Sequence, residues 1–182
     1  DHGRTFRPAQ LIRRIRPLHG APRIRVILRP RHDWGRGVPT VTRGSNHLRF
    51  VMPDGVLRVT TNLPLTYLVG ETWFALRDGV SMVLGQDETL EGGLEDTTRA
   101  FEELTCRYWR RWTRRLALPL EWQDAVIRAA ITLKLCQYED TGAIVAAMTT
   151  SIPEAPDTAR TWDYRYCWLR DAFFVVHALN SL

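Results

Sequence analysis

The chain has 182 residues, 45% of them hydrophobic, and a formal net charge of +5. That length suits one medium domain or parts of two, with the apolar content of an ordinary globular protein. No apolar run approaches the roughly 18 residues a membrane span needs, and no charged-then-apolar leader opens the chain. Because the first residue is Asp1 rather than Met, a signal or further structure upstream stays open.

Charge is unevenly spread. Residues 1–36 hold ten arginines against Asp1 and Asp33, and Lys134 is the only lysine of the chain. A basic segment raises the question of nucleic acid. Here the arginines alternate with apolar residues, as in Ile12-Arg13-Arg14-Ile15-Arg16 and Arg23-Ile24-Arg25-Val26. That is the pattern of a solvated strand face, so neither a nucleic-acid nor a membrane partner is expected. Cys106, Cys136 and Cys167 are widely spaced and include no CxxC pair. An odd, scattered set argues against a disulfide framework or zinc site and predicts buried free thiols in a cytoplasmic protein. No metal or organic cofactor is implied.

Residues 10–86 read as strands. The candidates are Leu11–Leu18, Arg23–Arg29, His47–Met52, Gly55–Thr61, Thr66–Val69, Thr72–Arg77 and Val80–Leu84, several with apolar and polar residues alternating. Period two marks a half-buried antiparallel sheet. Asp54-Gly55 and Asp78-Gly79 are hairpin signals, since both residues tolerate positive φ. Pro22, Pro30, Pro39, Pro53 and Pro64 fall at run ends, where a missing N–H does least harm. Short strands at close spacing suggest a β-sandwich.

The period changes near Asp87. Phe101, Leu104, Tyr108, Trp112 and Leu116 recur at helical spacing and predict a helix over 95–116. Asp96 or Thr97 would cap it, and Arg114 and Arg115 would sit in its last turn. Trp109 and Trp112 read as packing between domains. A second helix is expected from about Glu121 to Tyr138, with Trp122, Val126, Ala129, Ala130, Leu133 and Cys136 on one stripe, ended near Gly142. Gly142–Thr150 reads as extended and 152–160 as a loop. Trp168–Leu182 reads as a third helix, with Phe173, Val176 and Leu179 inward and His177 as a core histidine.

The densest chemistry lies in Thr161–Asp171, which holds Trp162, Tyr164, Tyr166 and Trp168 with Asp163, Arg165, Arg170 and Asp171. Aromatic rings pack on the C–H faces of a pyranose, while Arg donates to and Asp accepts from its hydroxyl rim. The same residues also suit a helix N-terminus with aromatic packing and an Arg–Asp ion pair.

Trp162-Asp163-Tyr164-Arg165-Tyr166-Cys167-Trp168-Leu169-Arg170-Asp171 with the following Ala-Phe-Phe resembles the signature near the start of the catalytic domain in glycoside hydrolase family 15. That family contains glucoamylases, glucodextranases and bacterial trehalases. Gly142–Glu154 resembles the segment leading into the motif, and the Pro22–Gly35 stretch and Thr61–Leu65 are more weakly similar to the bacterial N-terminal sandwich. The resemblance implies an α+β fragment. Residues 1–86 would be the later part of an antiparallel β-sandwich, 87–118 a linker helix, and 119–182 the first helices of a truncated (α/α)6 barrel.

By position in the motif, the resemblance implies that Arg170 and Asp171 hold the non-reducing glucose, with Tyr164 and Trp168 lining the same pocket. Asp171 as a cap, or paired with Arg170 or Arg165, is the plainer alternative. Arg165, Tyr166 and Cys167 would face the supporting shell, and Glu154 is not where the family has an acid. The implied activity is inverting, exo-acting hydrolysis of α-glucosidic bonds in a disaccharide or oligosaccharide. Both catalytic glutamates of the family lie past Leu182, so residues 1–182 alone are expected to be inactive. A non-catalytic carbohydrate-binding module is the competing reading, and an Arg-rich polyanion binder a third.

Overall fold

The structure, a computed structural model, describes residues 8–182. Asp1, Arg4 and Arg7 of the basic segment lie outside the described residues. The fold is mixed α+β. In chain order come β1 (Leu11–Ile15), β2 (Arg23–Ile24), a 3-10 turn (Asp33–Gly35), β3 (Thr40–Arg43), β4 (His47–Met52) and β5 (Gly55–Thr61). Then follow α1 (Leu65–Val69), β6 (Phe74–Ala75), β7 (Val80–Gln86), α2 (Leu94–Thr113), α3 (Gln123–Leu135) and α4 (Leu169–Asn180). The chain divides into two compact units, with the boundary between Cys106 and Arg107.

The first unit holds a five-stranded antiparallel sheet in the order β1-β7-β5-β4-β3, and a two-stranded sheet of β2 and β6. The pleat sends alternate residues to opposite faces. On one face Leu48 lies opposite Val59 and Phe50 opposite Leu57, while Val59 lies opposite Leu84. These residues join Leu63, Leu68, Leu76, Val80 and Met82 in one core, against which Ile24 and Phe74 of the small sheet also pack. Leu48 and Val59 are essentially inaccessible. On the other face of β4 and β5, Arg49 lies opposite Arg58. Two like charges directly opposed are unfavourable, and Asp87 relieves them: Arg49 Nε donates to its carboxylate at 2.9 Å and Arg58 lies at 3.7 Å.

Where β5 leaves the ladder, side chains replace the missing main-chain bonds. Thr61 Oγ1 donates to the Ser81 carbonyl at 2.9 Å, and the Ser81 N–H donates to Asn62 Oδ1 at 2.9 Å. Asn62 Nδ2 donates in turn to the Gly79 carbonyl at 3.0 Å. Buried peptide groups left without partners are costly, so this substitution lets the chain turn out of the sheet.

Several sequence expectations need correction. Thr66–Val69 is helical, part of α1. Pro64 fixes the entry, the Tyr67 N–H donates to its carbonyl, and Leu65 and Leu68 reach the core at helical spacing. Thr72–Arg77 contributes only Phe74–Ala75 to a strand. Asp78-Gly79 is no hairpin, because β6 pairs with β2 whereas β7 pairs with β1 and β5. The β4–β5 hairpin does form, but its loop is Pro53-Asp54; Gly55 opens β5 opposite Met52 with φ +151. Strand β3 was not foreseen. The period-two stretch at Arg23–Arg29 forms a ladder only over Arg23–Ile24, although Val26 and Leu28 still pack inward. Arg14 is not on a solvated face: its side chain is 11% exposed and pairs with Glu102 of α2. Helix α2 begins at Leu94, so Asp96 and Thr97 lie within its first turn rather than at a cap. It ends at Thr113, which puts Arg110 and Arg111, not Arg114 and Arg115, in its last turn. The three thiols are free but not buried, with Cys106 and Cys167 exposed and Cys136 half-buried.

Leu48→Ala should destabilise this unit by about 2–5 kcal/mol, readable as a lower urea midpoint. Acid should weaken it as well. Hydrogen bonding by Arg49, with the nearby positive charges, holds the Asp87 carboxyl below its ordinary 3.8. Burial, then Arg58, holds His47 below 6.5. Both folded values lie below the unfolded ones, so each contribution is complete above the unfolded value and is lost as pH falls through the folded one. The stability difference between wild type and Asp87→Asn should therefore be present at pH 7 and vanish in strong acid. A difference that persists unchanged at pH 2 would assign the effect to packing.

Candidate sugar site in the second unit

The second unit comprises the end of α2 from Arg107, then α3, α4 and the irregular chain that joins them. Helix α3 shows the expected stripe in part: Ala130 is buried and Val126, Leu133 and Cys136 are half-buried. Trp122, at the N-cap with φ 62, is 79% exposed, and Ala129 is exposed as well. After Cys136 the chain reverses tightly. The Tyr138 N–H donates to the Ala143 carbonyl at 2.7 Å and the Gly142 N–H to the Tyr138 carbonyl at 2.8 Å. Gly142 makes this turn with φ +75. Ile144, opposite Gln137, is the buried residue of the returning segment.

The returning chain meets the aromatic motif. The Tyr164 N–H donates to the Thr149 carbonyl at 3.0 Å, and the Tyr164 carbonyl accepts from Ala147 N–H at 3.0 Å. Ala146 N–H donates to the Tyr166 carbonyl at 3.1 Å. Between these contacts the chain runs out and back as a loop closed by Pro153 opposite Thr161 and by the Glu154 N–H donating to the Arg160 carbonyl. Glu154 is exposed and ion-paired with Arg160 at 3.3 Å. The Arg160 guanidinium also lies 4.7 Å from the centre of the Trp162 ring, a cation–π distance.

Three aromatic rings converge. Trp162 meets Trp168 edge to face at 6.3 Å, and Tyr164 lies 6.4 Å from Trp168 with the planes 29° apart. Trp168 is the N-cap residue of α4, and Asp171 sits in the first turn, where the helix dipole favours a carboxylate. Trp168 makes no side-chain cap bond; Asp171 Oδ2 accepts from Arg170 Nη2 at 3.3 Å. The Arg170 side chain is 74% exposed and that of Asp171 32%. Thus Tyr164 and Trp168 are brought together, as are Arg170 and Asp171. The Asp171–Arg170 ion pair of the plainer alternative exists, whereas Arg165 is engaged elsewhere.

Arg165 belongs to Asp163. Asp163 Oδ1 accepts from the Arg165 main-chain N–H at 3.0 Å and from Nε at 3.1 Å, and Oδ2 accepts from Nη2 at 3.0 Å. Side-chain hydrogen bonding by Arg165, then its main-chain N–H, holds the Asp163 carboxyl below the usual carboxylate range. Sequence reading did not single out this pair, although the i, i+2 Asp is a recognised way to close a turn on its own backbone.

Other expectations change. Arg165, Tyr166 and Cys167 are exposed in this chain rather than set in a shell. Of the three residues expected inward on α4, Leu179 is half-buried, whereas Phe173 and Val176 are 65% and 47% exposed. His177 is exposed, with its ring stacked on Phe173 at 6.2 Å. No group of three or more His, Cys, Asp or Glu suited to a metal ion occurs among the described residues. No described helix is long and apolar enough to cross a membrane.

The family model for glycosyl hydrolases family 15 matches residues 122–182, the stretch that contains this cluster. Residues 122–182 are thus similar to the family 15 glycosyl hydrolases. Among curated relatives, a trehalase of Thermoplasma volcanium is 44% identical over 78 residues, covering 43% of this chain and 12% of that protein. A trehalase of Mycolicibacterium smegmatis is 30% identical over 190 residues, covering 94% and 28%. One from Mycobacterium tuberculosis is 36% identical over 138 residues, covering 71% and 20%. The chain therefore spans between 12% and 28% of the length of these relatives. No solved structure matches it.

The Gly142 turn carries the chain back toward Tyr164, and a Cβ there would meet nothing within 4 Å. Gly142→Ala should thus cost backbone strain alone, about 1–2 kcal/mol. Urea unfolding followed by tryptophan fluorescence would read it, and an unchanged midpoint would show that the turn relaxes freely.

Proposed function

We propose that the chain is part of an inverting, exo-acting α-glucosidase of the glucoamylase and trehalase type. In this reading Tyr164, Trp168, Arg170 and Asp171 form one wall of its innermost sugar site. The observation that carries the reading is the meeting of Tyr164 and Trp168 at the start of α4, whose first turn holds the exposed Arg170–Asp171 pair. A terminal glucose would lay a C–H face on the aromatic rings. Asp171 would accept from its outer hydroxyls and Arg170 would donate to them. These two side chains pair with each other at 3.3 Å, and a sugar would exchange that pair for bonds to its rim.

Anchoring is distinct from chemistry. Inversion requires one carboxyl to protonate the leaving oxygen and another to activate water, about 6.5–9.5 Å apart. In this reading both carboxyls belong to parts of the whole protein outside these 182 residues. Residues 1–86 would be the end of an N-terminal β-sandwich, 87–118 a linker helix and 119–182 the opening of an (α/α)6 barrel. The substrate is a disaccharide or oligosaccharide with α-linked glucose. Trehalose is the first to test, because the relatives that support the reading are named trehalases.

In the full-length protein, Asp171→Asn should lower kcat/KM by about ten- to a hundredfold, the loss of a charged hydrogen bond. Glucose release from trehalose, maltose and isomaltose measures it; undiminished turnover in the variant would remove Asp171 from the site. The 182-residue chain alone should release no glucose. Saccharide binding by the full-length protein without any turnover would favour the binding-module reading.

A further inference from the structure

We propose, resting on the sugar-site reading above, that Asp163 and Arg165 are positioning residues that hold Tyr164 in place against Trp168. They flank Tyr164 in sequence and are joined by three hydrogen bonds, one to the Arg165 main chain and two to its guanidinium. The carboxylate thus closes the turn that contains Tyr164 and clamps the following side chain in a bidentate fork. On its other side Tyr164 is tied by its own N–H to Thr149 and by its carbonyl to Ala147. With the main chain held on both sides, the ring has only its side-chain torsions with which to reach Trp168. The Asp163–Arg165 clamp is separate from the Arg170–Asp171 pair, with which it shares no hydrogen bond.

The pair is too exposed to be a strong stabiliser: the Arg165 side chain is 53% accessible and that of Asp163 33%. Exposed ion pairs contribute little to folding. Its effect belongs instead to geometry, where misplacing a binding group by about 1 Å can cost on the order of a hundredfold.

The test uses the full-length enzyme and the disaccharide it hydrolyses. Asp163→Ala should raise KM about tenfold or more with a smaller change in kcat, while the thermal midpoint stays within about 2 °C of wild type. Asp163→Asn, which still accepts the Arg165 main-chain N–H, should fall between the two. Arg165→Lys keeps the main-chain bond and the charge but not the planar fork, so it too should raise KM, to a value between wild type and Asp163→Ala. A wild-type KM in both Asp163→Ala and Arg165→Lys, with Asp171→Asn impaired, would overturn the positioning role and leave the sugar site standing. Full turnover in Asp171→Asn would overturn the sugar site itself and this inference with it.

Discussion

The second unit depends on the peptide of Tyr164. Its N–H and its carbonyl are both engaged by the segment 147–149, so the motif cannot shift without breaking two main-chain hydrogen bonds. Everything of chemical interest is arranged from that fixed point. Trp162 lies two residues before it, the Asp163–Arg165 clamp encloses it, and Trp168 follows at the mouth of α4. The Gly142 reversal matters for the same reason, since it delivers Thr149 and Ala147 to their partners. A surface made of irregular chain needs such anchoring, because loops carry no ladder of their own.

The first unit solves a different problem by different means. Its order follows from the pleat, which separates Leu48 and Phe50 from His47 and Arg49 on successive residues of one strand. Arginines on and beside the sheet are held by acids. Arg14 of β1 pairs with Glu102 and Arg49 of β4 with Asp87, while Arg29, in the chain after β2, pairs with Glu71. Each is a contact between residues far apart in sequence, so these pairs also record which segments the fold brings side by side.

That distinction explains what could be read from the residues. Strands β4 and β5 were legible to the residue because their alternation is strong and Pro53-Asp54-Gly55 separates them. Helices α2, α3 and α4 were legible in kind and only approximate in extent, since fraying ends obey local capping rather than the long-range period. The segment Thr66–Val69 misled because a four-residue run supports either period, and Pro64 decided for the helix. Asp78-Gly79 misled because a turn signal specifies a reversal and does not say which strand receives the chain. Strand β3, with Thr40 and Thr42 around Val41, has too little apolar contrast to declare itself.

The site was legible as chemistry before it was legible as geometry. Residue types alone placed aromatics beside Arg and Asp, and the family match covers the same stretch. Which Arg joins which Asp could not be read that way, because four charged residues within nine positions allow several pairings. The structure resolves it through distance along the chain. Asp163 takes Arg165 because a carboxylate two residues upstream reaches both the main-chain N–H and the guanidinium, which leaves Asp171 with its neighbour Arg170. The consequence is chemical. An Asp171 held by three bonds would be committed to structure. With one hydrogen-bond partner at 3.3 Å, on the exposed Arg170 side chain, its carboxylate keeps lone pairs that can accept further hydrogen bonds.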